Sequence, residues 1–106
     1  MVKRGDVWLA ALDPTVGSEI QKTRPCLIVS PPEMHDHLRT VIVAPMTTGS
    51  RTAGFRVPVR FKGKDGLVLL DQVRTIDRRR LVSRLGSVSD ATLRSTLSTL
   101  RAVFEE

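Results

Sequence analysis

The segment Phe55–Lys62 constrains the fold of this chain more than any other stretch. Phe55, Val57, Val59 and Phe61 alternate with Arg56, Pro58, Arg60 and Lys62. A period of two describes a β-strand with one face in a core and the other outward, and no helix satisfies it. Pro58 has no N–H to give to a ladder, so this strand belongs at a sheet edge or carries a bulge. A chain of 106 residues has room for one such core, and the expectation is a single domain over residues 1–106.

The rest of the sequence extends the β reading. Val7–Leu12 is an apolar strand stopped by the turn signal Asp13-Pro14, and Thr15–Thr23 is a polar loop. Cys26–Val29 is a continuous apolar run, as in a strand buried on both faces, and Pro31-Pro32 ends it. Thr40–Met46 is the next strand, and Thr47–Gly54, rich in Thr, Ser and Gly, is a loop. Gly66–Asp71, Val73–Ile76 and Val82–Val88 continue the sheet, with a turn at Asp77–Leu81. Ser89 has the chemistry of an N-cap, and Asp90 suits the first turn of a helix. Leu93, Leu97, Leu100 and Phe104 then form one helical stripe, expected to pack on the core. Short strands closed by one helix point to a small, strongly bent antiparallel sheet or open barrel.

Charge narrows the partners. The formal net charge is +6, and two blocks own it. Residues 51–64 hold Arg51, Arg56, Arg60, Lys62 and Lys64 with no acid, and residues 74–84 hold five arginines against Asp77. The planar guanidinium fork suits phosphate, so a polyanionic partner is expected. A solvated, arginine-rich surface is the plainer reading of the same residues. No apolar run approaches the roughly 20 residues of a membrane helix, and no signal-peptide pattern opens the chain. A soluble cytoplasmic protein is therefore expected. The one cysteine, Cys26, excludes an internal disulfide and fits a reducing compartment.

Several enzyme classes fall away on chemistry. His35-Asp36-His37 offers three adjacent ligand types, which rarely converge on one ion, and reads as a polar loop. Cys26 lies in an apolar run with no base indicated, and Ser18 and Glu19 have no histidine partner for a hydrolase triad. No metal or cofactor is expected. Arg24-Pro25 carries more information, because the residue before proline is held extended and Arg24 then sits at a strand mouth. If the second and third strands pair as a hairpin, Thr47 and Thr48 fall at that same end. A fixed cation and a hydroxyl on a basic surface can stabilise charge on a phosphorane.

Five segments in order now carry a resemblance: Arg4-Gly5-Asp6-Val7-Trp8; Asp13-Pro14 with Gly17-Ser18-Glu19; Thr23-Arg24-Pro25; Ala44-Pro45-Met46-Thr47-Thr48; and Leu70–Asp77. Together they resemble the MazF/PemK toxins, the endoribonuclease half of bacterial toxin–antitoxin pairs. The resemblance covers essentially the whole chain and departs mainly in loops, including His35–Leu38 and Arg51–Gly54. It implies a mainly β fold with a C-terminal helix, a small SH3-like barrel of the MazF/PemK/CcdB type, working as a homodimer. It further implies metal-independent cleavage of single-stranded RNA at short sequences, leaving a 2′,3′-cyclic phosphate or 3′-phosphate and a 5′-hydroxyl. Arg24 and Thr47 match the catalytic arginine and threonine. Ser18, Glu19, Thr48, Gln72 and Arg74 are expected to contact the RNA, and Arg56, Arg60 and Arg78–Arg80 at most to hold its backbone. The expected inhibitor is a cognate acidic antitoxin. Three other readings stand beside this one: a CcdB-like toxin that poisons gyrase without cutting RNA, a plain nucleic-acid-binding barrel, and a protein-interaction domain.

Overall fold

The computed structural model describes residues 1–49 and 51–106; Ser50, in the loop expected over 47–54, lies outside them. The elements are β1 (Asp6–Ala11), β2 (Thr23–Ile28), α1 (Pro32–His37), β3 (Thr40–Thr47), β4 (Arg56–Phe61), β5 (Lys64–Leu69), β6 (Arg74–Asp77), β7 (Leu81–Ser87) and α2 (Asp90–Val103). Short 3-10 turns at Leu70–Gln72 and Arg78–Arg80 flank β6.

The strands run antiparallel in the order β4-β5-β3-β2-β1-β7, with β6 on β3 outside that path. Strand β3 is the pivot. Its start pairs with β6 through Thr40–Val43, its middle with β2 through Val43–Pro45, and its end with β5 through Met46 and Thr47. One strand that changes neighbours along its length forces the sheet to curl. Register shifts in the β1–β7 ladder, between Val7 and Trp8 and between Leu9 and Ala10, add further bend. The result is a curled half-barrel.

The alternation of side chains explains why β2 reads as unbroken apolar sequence. Leu27 and Val29 face one buried cluster with Val7, Ala44, Met46, Val57, Val59 and Val68. Cys26 and Ile28 face a second cluster with Ala10, Leu12, Val41, Val43 and Ile76. Both faces of β2 are covered from Cys26 onward, so no position of that run can be polar without cost. Strand β4 pairs with β5 alone, and Pro58 is exposed there, at the sheet edge its chemistry demands. Phe55 lies just before β4 and is 44% exposed, so the buried face of that strand is carried by Val57 and Val59.

Two expectations need correction. The His35–His37 segment is part of helix α1 instead of a loop. Pro32 stands at the start of that helix, where a proline has no N–H bond to lose and its fixed φ favours the first turn. His35 is buried, one ring nitrogen 2.6 Å from the Ser30 hydroxyl and the other 3.2 Å from the Val2 carbonyl. The Ser30 hydroxyl in turn accepts from the Ile42 amide at 3.1 Å, so the histidine ties the N-terminal segment to β3.

The second correction concerns α2. The Ser89 side chain caps it as expected, accepting from the Thr92 amide at 3.1 Å. Leu93, Leu97 and Leu100 are half-buried, but Phe104 falls past the helix end and is 74% exposed. The fully buried residue on that face is Thr96, which a search for apolar periodicity passes over; its hydroxyl has no hydrogen-bond partner among the described residues. Among the described residues, no helix is long and apolar enough to cross a membrane.

Candidate active cleft

Two prolines open the cleft. The β2–β3 ladder runs from Ile28↔Val43 to Cys26↔Pro45 and stops there. Neither Pro25 nor Pro45 can donate a backbone hydrogen bond, so nothing holds the two strands together beyond this point. Strand β3 turns to β5 instead, and the space released lies between Arg24 and Thr47. These residues would face each other if the ladder continued in the same register.

Arg24, Thr47, Thr48, Phe61, Lys62 and Lys64 line the resulting cavity of about 330 Å³. Met46, Val59 and Leu85 give it an apolar floor, and no acidic residue lines it among those described. The Nε of Arg24 donates to the Gln21 carbonyl at 3.1 Å, fixing the guanidinium at its stem, and among the described residues no carboxylate pairs with it. Thr47 Oγ1 accepts from the Gly49 amide at 3.3 Å, so its hydroxyl hydrogen is available to a further acceptor. Gly66 lets β5 come this close to β3: a Cβ there would stand 2.7 Å from the Thr47 carbonyl oxygen.

The other expected contacts gather elsewhere. Ser18, Glu19, Gln72 and Arg74 line a separate cavity of about 600 Å³, together with Arg56 and Asp71. Glu19 accepts from the Val16 amide at 2.6 Å and Gln72 from the Ile20 amide at 2.6 Å, so these side chains shape the loop after β1. Arg74 is half-buried, with a terminal nitrogen 3.2 Å from the Leu12 carbonyl. The structure thus groups Arg24, Thr47 and Thr48 in one cleft and Ser18, Glu19, Gln72 and Arg74 in another.

Internal ion pairs redistribute the basic blocks. Arg56 holds Asp71 through two bonds, at 3.1 and 2.9 Å, and this guanidinium keeps the Asp71 carboxyl below the ordinary carboxylate range. Arg60 pairs with Asp65 at 2.9 Å, Arg79 with Asp77 at 3.0 Å and Arg84 with Asp6 at 3.3 Å. Arg78 and Arg80 donate to backbone carbonyls, of His35 and of Ala11. Among the described residues, four of the ten cations in the two basic blocks are therefore paired with carboxylates within the fold. Lys62 and Lys64, counted in the first basic block but not among the expected RNA contacts, bring cationic charge to the Arg24 cleft. The legible sign of their position was the dipeptide Lys62-Gly63 between two apolar strands, a hairpin turn.

A curled β half-barrel whose open end holds a cationic cleft, with no acid in its lining among the described residues, defines a small barrel protein with a site suited to a polyanion. Residues 3–104 match the family model described as the PemK-like, MazF-like toxin of type II toxin–antitoxin systems. The chain is also 41% identical to the endoribonuclease PemK of Escherichia coli over 96% of this chain and 81% of that protein. It therefore belongs to the PemK-like, MazF-like toxin family. The crystal structure of MazF from Deinococcus radiodurans shares the fold with a TM-score of 0.85, at 24% identity over 96% of this chain and 94% of that one. An endoribonuclease in complex with its cognate antitoxin, from a mycobacterial species, matches with a TM-score of 0.81 and 26% identity over 96% and 93% of the two chains.

Proposed function

We propose that this endoribonuclease toxin cuts single-stranded RNA at short sequences by attack of the RNA's own 2′-hydroxyl, with no metal ion. The observation that carries the reading is the joint placement of Arg24 and Thr47 in one acid-free cleft. The 2′-oxygen forms a bond to phosphorus, the bond to the 5′-oxygen breaks, and the products are a 2′,3′-cyclic phosphate and a 5′-hydroxyl. The proton of the 2′-hydroxyl leaves and the 5′-oxygen gains one. Because RNA supplies the nucleophile, the protein needs neither a serine nor a thiolate; it must align the nucleotide and offset the extra negative charge. Arg24 serves the charge and Thr47 donates a hydrogen bond to the same phosphate. Thr48 beside them, and Ser18, Glu19, Gln72 and Arg74 in the second cavity, contact the flanking nucleotides and read splayed bases. The alternatives of a gyrase poison and a silent binding barrel are not favoured, since the relative from Escherichia coli is named an endoribonuclease.

In the same reading the 106 residues act as one toxin domain in the cytoplasm, as a homodimer. The natural inhibitor is a cognate acidic antitoxin segment with apolar anchors that occludes the cleft.

Purified protein incubated with a long single-stranded RNA in excess EDTA should cut it, and mapping should find 5′-hydroxyl ends. Arg24→Ala should lower single-turnover cleavage at saturating RNA by about 100-fold or more, with affinity little changed, because only contacts stronger in the transition state raise the rate. Thr47→Ala should follow with a smaller loss, a neutral hydroxyl contributing less than a cation. Cleavage at the parent rate by Arg24→Ala at saturating RNA would remove Arg24 from the chemistry.

A further inference from the structure

The β4–β5 hairpin closes through only two residues, Lys62 and Gly63, since Phe61 pairs directly with Lys64. Both central residues have positive φ, 50° at Lys62 and 77° at Gly63. A two-residue hairpin loop of this kind wants Asn, Asp or Gly at its first position, where a long side chain on a left-handed backbone is disfavoured. The chain places a lysine there nonetheless. Strained residues of this sort gather at functional sites, held by the structure around them. Here the holding contact is visible: Phe61 lines the cleft, its ring lies against Gly86 of β7, and the Lys62 ammonium stands 6.0 Å from the centre of that ring.

We infer that Lys62 and Lys64 form a phosphate grip at the rim of the Arg24 cleft, holding the RNA backbone beside the scissile bond, and that the strained turn is kept to aim it. The inference rests on the ribonuclease reading and adds two substrate-holding residues to it. Three observations favour these lysines over the other cations. Both line the cleft of Arg24 and Thr47. Among the described residues neither has a carboxylate within salt-bridge distance, whereas Arg56, Arg60, Arg79 and Arg84 each do. The hairpin also sets them two residues apart, Lys62 in the tight turn and Lys64 just after it, so both ammonium groups serve one short length of backbone.

The test separates grip from chemistry and from folding. The binding probe is a 20-nucleotide single-stranded DNA of mixed sequence, which lacks the 2′-hydroxyl and is not cut, titrated at several salt concentrations. Lys62→Gln and Lys64→Gln should each weaken binding severalfold and reduce the log–log salt slope by about 0.7, one phosphate contact on a single strand. RNA cleavage at subsaturating RNA should fall by the same severalfold factor as the affinity. Lys62→Asn should weaken binding equally while raising Tm by a few degrees, because asparagine suits the left-handed position. A binding curve and salt slope unchanged in all three variants, with the parent cutting RNA, would overturn the grip. A parent that cuts no RNA, yet loses anion affinity in these variants, would overturn the ribonuclease reading and leave the grip standing.

Discussion

Cys26 carries the chain's single thiol, and its surroundings set what that thiol does. It is fully buried, its sulfur 3.5 Å from the Arg24 carbonyl, two residues from the proposed catalytic arginine. Burial pushes the thiol from an ordinary value of 9.0 up to about 12, against a smaller opposing pull from Arg74. A thiol held protonated is no nucleophile, which agrees with a reaction in which RNA attacks itself. Between pH 9 and about 12 the unfolded thiol ionises and the folded one does not, so the folded chain holds the extra proton. The stability contributed is complete below about pH 9 and falls as pH rises toward 12. Urea midpoints measured at pH 8 and pH 10.5 should therefore fall more in the parent than in Cys26→Ala. In native buffer at pH 8 the parent's thiol should resist a disulfide reagent that labels it at once in urea. Rapid labelling of the folded protein would contradict this account.

Among the elements, β3 does most to build the site, because its end leaves β2 and joins β5. That transfer depends on Gly66, where a side chain would collide with the Thr47 carbonyl at 2.7 Å. The atom it would meet is backbone, which yields less than the end of a flexible side chain, so β3 itself must move. Gly66→Ala should destabilise the fold by about 1–3 kcal/mol, the usual cost of an extra methyl in a close-packed position. It should also lower the saturating cleavage rate, since the displaced strand carries Thr47. A urea titration alongside single-turnover kinetics tests both; a variant with parental stability and rate would show that the strands part freely there.

On the scale of the whole molecule, some apolar surface lacks cover within one copy. Val16 is 80% exposed, Val82 60% and Phe104 74%, the last beyond the end of α2, past the part of the helix that touches the sheet. The homodimer proposed above would cover part of this surface, and symmetric dimers are the commonest form of self-association. Light scattering at micromolar concentration should report twice the chain mass. A monomer there would count against the homodimer.

Elements with strong local signals could be read directly from the sequence: the alternation of β4, the doubly buried run of β2, the Ser89 cap and the turn at Asp77–Leu81. Each rests on neighbours within a few residues, so linear order carries the information. Arg24 and Thr47 were also legible as candidates, through the stiff backbone before Pro25, the hydroxyls ending β3 and the family resemblance. Three features were decided by tertiary structure alone. Helix α1 forms where the double proline suggested only an ending, with His35 buried against Ser30 and Val2. The division of the candidate residues between two cavities follows from the curl of β3, which no local period encodes. The distribution of charge depends on which arginines meet carboxylates across strands, pairing residues as distant as Arg84 and Asp6. Sequence counts the charges; only the fold decides which of them remain to face a ligand.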